Sequence, residues 1–204
     1  MAIETTGRLG SIAVLTGQSV VHEANLDPTR RTAATLAPAI EETLDWCRNN
    51  HCFPHFLAVA DGPGSFTGLR IGVTTAKTLG YALNLPVVTV DSLAAIAAAA
   101  FDTASGCESL RIGLDAYRGQ VFAGEFSQSD LLPPITEIPQ SWTPHPTCVN
   151  VIAQSEWDQI LARRSVEIGI AGDAKPMGKL ADQRLSRRCD AIGVGQLGLR
   201  AAVT

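Results

Sequence analysis

Asp61-Gly-Pro-Gly-Ser-Phe-Thr-Gly-Leu-Arg70 lies between an apolar run, Phe56–Ala60, and a stretch from Leu69 to Leu83 whose apolar residues recur at three- and four-residue steps. The run has the length and content of a buried strand. The stretch has the spacing of a helix. Between them stand Gly62, Pro63, Gly64 and Gly68. A loop of this kind lets the backbone approach another group closely and points the free N–H groups of the helix start toward it. That group is either an anion or another protein surface. The plain structural alternative is a tight strand-to-helix turn capped by Ser65 or Thr67.

Known phosphate motifs match the loop incompletely. A Walker A loop needs a second glycine five residues on, followed by Lys-Ser/Thr, and the nearest lysine is Lys77. A dinucleotide fingerprint fares better: Gly62-x-Gly64 follows a strand and opens a helix, and Asp91 ends the next strand. Its third glycine, Gly68, comes one position late. Anion binding at the helix N-terminus stays open on general grounds.

The helix behind the loop carries a second pattern. Gly68, Gly72, Ala76 and Gly80 recur every four residues, leaving one ridge almost bare of side chains. Interior glycines cost about 1 kcal/mol each relative to alanine. Close approach of another backbone would offset that, either from the protein's own sheet or from another subunit.

The rest of the chain extends an α/β reading. Met1–Glu4, Ser11–Leu15 and Ser19–Ala24 read as a three-stranded meander, and the chain starts almost inside the first strand, so its beginning is expected to be clipped. Thr32–Asn49 reads as a helix with Leu36, Ile40, Leu44 and Cys47 on one face. Pro38 is awkward inside it, so the ordered start is expected near Thr35, with Pro38 in the first turn. Leu85–Val90 reads as a strand, Ser92–Phe101 as an alanine-rich helix, and the small polar stretch Asp102–Glu108 as a domain boundary. Leu110–Asp115 and Gln120–Phe126 form a second hairpin. Residues 128–148 hold five prolines and little periodicity, Val166–Ala171 reads as a strand, and two weak helical segments finish the chain. The order βββαβαβα followed by a shortened ββ…αβα suggests a duplication, with lobes at 1–103 and 104–204.

Composition narrows the function. With 204 residues, 46% hydrophobic and 18% charged, the chain has ample material for a packed core. A net charge of −4 argues against a large nucleic-acid face; the one modest basic cluster is Arg184, Arg187 and Arg188. Five cysteines without a regular framework fit a reducing cytoplasm. No basic start followed by an apolar stretch suggests a secretory signal, and the longest apolar run, Leu93–Phe101, is far short of the ~20 residues that span a bilayer. Cys47, His51, Cys52 and His55 offer four soft metal ligands within nine residues, but on one helix end and its exit loop rather than as two separated pairs. His22-Glu23 lacks a second histidine, since Leu26 stands there, and no Gly-x-Ser-x-Gly elbow surrounds Ser65.

Gly62-Pro-Gly-Ser-Phe-Thr-Gly-Leu-Arg-Ile-Gly72, with Ala76-Lys77 and Val88-Thr-Val-Asp-Ser-Leu93, closely resembles the TsaB (YeaZ) family, of the glycoprotease-like branch of the actin/hexokinase/Hsp70 superfamily. Ile3-Glu-Thr-Thr6 is similar to the family's Ile-Asp-Thr-Ser, and Asp115-Ala-Tyr-Arg-Gly-Gln-Val-Phe122 to its Asp-Ala-Arg hairpin. Two features depart from the family: Thr32-Ala33 stands where a His-Ser pair is usual, and Tyr117 displaces the arginine to Arg118. The resemblance implies a two-lobed actin-like fold with a shortened second lobe. It also implies a cytoplasmic, non-catalytic scaffold and activator for the paralogue TsaD in forming threonylcarbamoyladenosine in tRNA. ATP and metal would belong to TsaD, with no intrinsic cofactor here. TsaE would be a further partner, the isolated chain would form a homodimer, and tRNA would be met only through the complex.

The family pairs through the helices corresponding to 35–49 and 68–83. The expected interface residues are therefore Leu36, Ile40, Gly68, Gly72, Ala76 and Gly80, with Gly62, Pro63, Gly64, Ser65, Phe66, Thr67, Gly68, Leu69 and Arg70 as the motif loop. TsaD-type proteins carry a His-x-x-x-His metal pair at the positions of Ser92 and Ile96, and isoleucine cannot ligate a metal. No catalytic and no metal-binding residue is therefore expected. The contrasting reading is an independent glycoprotease-like metallopeptidase or nucleotide hydrolase, and a third is a nicotinamide-binding domain.

Overall fold

The structure, a computed structural model, describes residues 1–7, 9–103, 107–138, 143, 149–163, 168–172, 174–177 and 190–203. The basic residues Arg184, Arg187 and Arg188 lie outside them. The N-terminal half runs β1 (Ala2–Glu4), β2 (Ser11–Thr16), β3 (Ser19–Asn25), α1 (Thr32–Asn49), β4 (Leu57–Gly62), α2 (Phe66–Leu83), β5 (Val87–Asp91) and α3 (Ser92–Thr103). There follow β6 (Ser109–Asp115), β7 (Gln120–Ser127), α4 (Gln128–Leu131), a 3₁₀ turn at Ile135–Glu137, β8 (Asn150–Ala153), α5 (Gln154–Ala162), β9 (Ile168–Gly172), α6 (Ala174–Met177) and α7 (Ala191–Val203).

Two sheets result, ordered β3-β2-β1-β4-β5 and β8-β7-β6-β9. In the first, β1 is antiparallel to β2 and parallel to β4; in the second, β6 is antiparallel to β7 and parallel to β9. The second sheet therefore repeats the first four strands of the other, strand for strand. This is the duplicated architecture of the actin-like fold, with no counterpart of β5 among the described residues.

Side-chain size decides which helices cover which face. Ala2, Ala13, Ala58 and Ala60 point from the first sheet toward α3 and α7, while Ile3, Ile12, Val14, Leu57 and Val59 point to the other face, against α1 and α2. The alternation is the period of two that a pleated strand imposes. The alanines leave room for α7 to settle onto β1, β2, β4 and β5. Gly198 of α7 completes the fit, since a β-carbon there would lie 2.4 Å from the Ala58 methyl. Leu93–Ala98 of α3 are fully buried between the sheets, beside Leu110 and Ile112 of β6. A helix apolar all round is one buried all round. Trp157 and Leu161 of α5 cover the outer face of the second sheet.

Three expectations are corrected. Helix α1 starts at Thr32, not Thr35, so Pro38 lies in its second turn. Ala34 and Pro38 are both exposed, so water can take the carbonyl that Pro38 leaves without a helix donor. Helix α2 starts at Phe66, not at Leu69, so Phe66, Thr67 and Gly68, expected in the loop, belong to its first turn. Strand β8 was not read from the sequence at all.

Candidate functional site

Strand β4 hands over to α2 through Pro63 and Gly64, with a cis Gly62–Pro63 peptide. Ser65 is the cap: its hydroxyl accepts from the Gly68 amide at 3.3 Å, and its own amide donates to the Thr6 carbonyl at 2.9 Å. Glycine is required where this turn meets the end of β1. A β-carbon on Gly64 would lie 2.7 Å from Thr6 Cβ, and one on Gly68 would lie 1.9 Å from the Thr5 carbonyl oxygen. The amides of Ser65 and Gly68, two of those that an anion at the helix start could use, are already engaged. The loop is a close-packed turn.

Behind it, Glu4 is wholly buried at the end of β1. Its Oε1 accepts from both the amide and the hydroxyl of Thr6, while Oε2 has no hydrogen-bond partner. Burial pushes its carboxyl up to about 7, against the opposing pull of the Thr6 bonds and with a smaller push from Asp190. Asp91, the acidic residue of the dinucleotide reading, accepts from the Ala94 amide at 2.8 Å and so caps α3.

The bare ridge of α2 faces inward. Gly68, Gly72, Ala76 and Gly80 are all buried. A β-carbon at Gly72 would meet Thr5 Oγ1 at 2.2 Å, and one at Gly80 would meet Val87 Cγ2 at 2.5 Å. The close partner is the protein's own sheet, so these four residues offer no outer surface. Ile40 likewise packs beneath α1, in one core with Ile3 and Val59. Leu36 is almost fully buried but reaches the floor of a groove. The expected interface residues thus lie beneath the surface of the chain except where Leu36 reaches the groove: a four-residue spacing defines a helix face without saying which way it turns.

The opposite side of α2 has the character expected of the ridge. Between α1 and α2 runs a groove of about 390 Å³, lined by short side chains such as Ala33, Ala37, Thr67, Thr74 and Thr75, with Arg70 the one charged group. Phe66 is 73% exposed and Tyr81 93% exposed on this helix. The guanidinium of Arg70 lies 5.6 Å from the Phe66 ring centre, within cation–π reach. Isolated exposed apolar residues are ordinary; Phe66 and Tyr81 stand at opposite ends of α2, with the exposed Arg70, Thr74, Lys77 and Thr78 between them. Sequence reasoning missed Tyr81, although its place four residues beyond Lys77 on the side away from the glycines was legible.

The other candidates are dispersed. Among the described residues no three His, Cys, Asp or Glu side chains could hold a metal ion. Cys47 packs into the core, whereas His51 and His55 are exposed, so the Cys/His cluster does not converge. His22 stacks on Trp46, ring centres 4.7 Å apart. Ser92 and Ile96 are both buried one turn apart on α3. At the β6–β7 turn Tyr117 and Arg118 both have positive φ, and the Tyr117 amide bonds Asp115 Oδ1 at 2.9 Å. Among the described residues no helix is long and apolar enough to cross a membrane.

Comparison with known proteins agrees with this architecture. The family described as "TsaD: tRNA N6-adenosine threonylcarbamoyltransferase" matches residues 27–132. The tRNA threonylcarbamoyladenosine biosynthesis protein TsaB of Bacillus subtilis is 35% identical over 124 residues, 61% of this chain and 53% of that protein. The protein of the same name from Escherichia coli is 29% identical over 130 residues, 64% of this chain and 55% of the other. The chain thus spans about half the length of these relatives. A Pseudomonas aeruginosa protein with similarity to peptidase YEAZ superposes with a TM-score of 0.70 at 21% identity, over 97% of this chain and 88% of the other, a likeness of fold.

Proposed function

The chain belongs to the TsaD family of tRNA N6-adenosine threonylcarbamoyltransferases, on its TsaB (YeaZ) side, and from that premise we propose that it is a non-catalytic scaffold subunit that pairs with a TsaD-type paralogue in threonylcarbamoylation of tRNA. The observation that carries the reading is the outer face of α1 and α2: a groove of short side chains, with the exposed Phe66 and Tyr81 elsewhere on the same helix α2. Small residues at such a groove let a partner helix approach closely, and exposed aromatics become strong anchors where a partner buries them. Without a partner the same face suits a second copy of the chain, a homodimer that the paralogue would displace.

Residues 92 and 96 support the lack of catalysis. Where joint metal ligation needs two ligands one turn apart, this chain presents a buried serine and a buried isoleucine. ATP and metal would then be held by the paralogue, tRNA would be bound by the complex, TsaE would act on that complex, and all of it would take place in the cytoplasm. The net charge of −4 agrees with tRNA being held elsewhere.

The deciding experiment is co-expression with the TsaD-type protein of the same organism, followed by affinity capture and measurement of threonylcarbamoyladenosine in tRNA after depletion of this chain. Stable co-capture and loss of the modified nucleoside are expected. No association together with unchanged modification would overturn the proposal. Metal-dependent peptidase or nucleotide hydrolysis by the isolated chain would favour the contrasting enzyme reading.

A further inference from the structure

The C-terminal end of α1 closes in two nested hydrogen bonds around His51. The Cys52 amide donates to the Cys47 carbonyl at 3.0 Å, and the His51 amide donates to the Arg48 carbonyl at 3.3 Å. His51 itself has φ +52°, in the left-handed region. This is the six-to-one and five-to-two pattern that ends many helices, ordinarily with glycine at the left-handed position. A histidine there carries a steric cost that glycine avoids, so the turn is held by the contacts around it. Asn50 contributes one of them, its side-chain amide donating to the Trp46 carbonyl at 2.8 Å.

The motif lays the side chains on either side of the turn against each other, ordinarily as an apolar contact. Here those two positions are Cys47 and Cys52, both as free thiols. They pack on one core, Cys47 fully buried and Cys52 partly open. Burial, and after it the nearness of Cys52, push the Cys47 thiol up. Cys52 lines a cleft of about 580 Å³ between the end of β2, the chain leaving α1, and α7. Its sulfur lies 3.6 Å from Thr16 Oγ1. One thiol is thus reachable from solvent and the other waits behind it.

We propose that Cys47 and Cys52 form a reversible dithiol–disulfide pair, a modification site at which a low-molecular-weight disulfide such as oxidised glutathione reacts first with Cys52. The Cys52 thiolate attacks one glutathione sulfur, forming a mixed disulfide and releasing the other as a thiolate. The Cys47 thiolate then attacks Cys52 Sγ, forming the internal bond and releasing the second glutathione. Two protein thiols lose two electrons and two protons, and one glutathione disulfide gains both. Accessibility sets the order, since the attacking thiol must be reached by the oxidant whereas the resolving one needs only its neighbour. The bond would tie the last turn of α1 to the chain that enters β4.

Arg48 lies between the two cysteines, and no other lysine or arginine stands between Thr32 and Arg70. Trypsin therefore leaves them on separate peptides, 32–48 and 49–70. The test equilibrates the full wild-type chain with mixtures of reduced and oxidised glutathione, traps remaining thiols by alkylation, and maps the digest by mass spectrometry. The two peptides should appear linked, and dithiothreitol should separate them. Because the turn holds the thiols together, half-linkage in the folded chain should need a glutathione ratio about tenfold or more less oxidising than in urea-unfolded chain. Equal ratios in the two states, or a glutathione adduct on Cys52 with Cys47 still open to alkylation once unfolded, would overturn the proposal. Cys47→Ser should retain glutathione on Cys52. No adduct in that variant would refute Cys52 as the attacking thiol.

Discussion

The hydroxyl of Thr5 donates a 2.8 Å hydrogen bond to the Gly68 carbonyl, and a β-carbon on Gly68 would stand 1.9 Å from the Thr5 carbonyl oxygen. The end of β1 and the first turn of α2 therefore touch backbone to backbone. The family loop marks this joint: Gly64 and Gly68 admit Thr5 and Thr6, Ser65 caps the helix, and α2 is held at one angle to the sheet. Whatever docks on the outer side of α2 meets a surface whose position is fixed from beneath.

Gly68→Ala should therefore destabilise the fold although it raises helix propensity. The propensity gain is about 1 kcal/mol. Overpacking costs about 1–3 kcal/mol and more when the obstacle is backbone that cannot step aside. A net loss of about 2 kcal/mol or more is expected in urea denaturation. Gly119, with φ +75° and nothing within 4 Å of an added β-carbon, is the control. Gly119→Ala should cost only the left-handed backbone term, about 1–2 kcal/mol. Equal midpoints for wild type and Gly68→Ala would show that the contact yields.

Ser65→Ala should cost about 1 kcal/mol, the usual worth of an N-cap, because the Gly68 amide loses its acceptor. Ser65→Asp should retain most of the stability, since a carboxylate also accepts there and suits the helix dipole. Thermal unfolding of the three proteins reads this directly.

Glu4 gives the protein a pH dependence of defined sign. Its carboxyl titrates at about 7 in the fold against 4.5 in the unfolded chain. Between those values the folded state binds the additional proton, so the contribution of Glu4 to stability is fully present below pH 4.5 and is lost as pH rises through 7. The full difference is on the order of 3 kcal/mol. Glu4→Gln keeps an acceptor for Thr6 and removes the titration. The stability of wild type relative to Glu4→Gln should therefore decline from pH 5 to pH 8. A difference that stays flat across that range would place the Glu4 carboxyl outside this account.

The first sheet was legible because each strand carries a clean signal: β1, β2 and β3 are separated by glycine turns, and β4 and β5 are short apolar runs flanking a helix. The duplication was legible only as an order of elements. Its proof, the repeat of β3-β2-β1-β4 in β8-β7-β6-β9, needed pairing that no residue pattern announces. Strand β8, Asn-Val-Ile-Ala, is too short to show a period. The candidate site was half legible. The spacing of Gly68, Gly72, Ala76 and Gly80 signalled a close backbone contact, but helical geometry is the same whether that contact is the protein's own sheet or another chain. What decided it was the bulk on the other side, with Phe66, Arg70 and Tyr81 left to solvent.

The outer face of α1 and α2 can be tested apart from the fold. Ala37 and Thr74 are exposed and line the groove between the helices. Surface substitutions of this kind usually change stability by less than about 0.5 kcal/mol. Ala37→Arg and Thr74→Arg should therefore leave Tm nearly unchanged. Each would place a long cation where a partner helix must approach closely, so association with the TsaD-type paralogue should weaken by tenfold or more, on the order of 1.4 kcal/mol. Phe66→Ser, which also dismantles the contact with Arg70, should act in the same direction with little effect on folding. Calorimetric titration of the paralogue into each variant gives the affinities. Wild-type affinity in all three would move the docking face away from this groove, whereas a lost affinity with an intact Tm would separate the outward side of α2 from its inward glycine ridge.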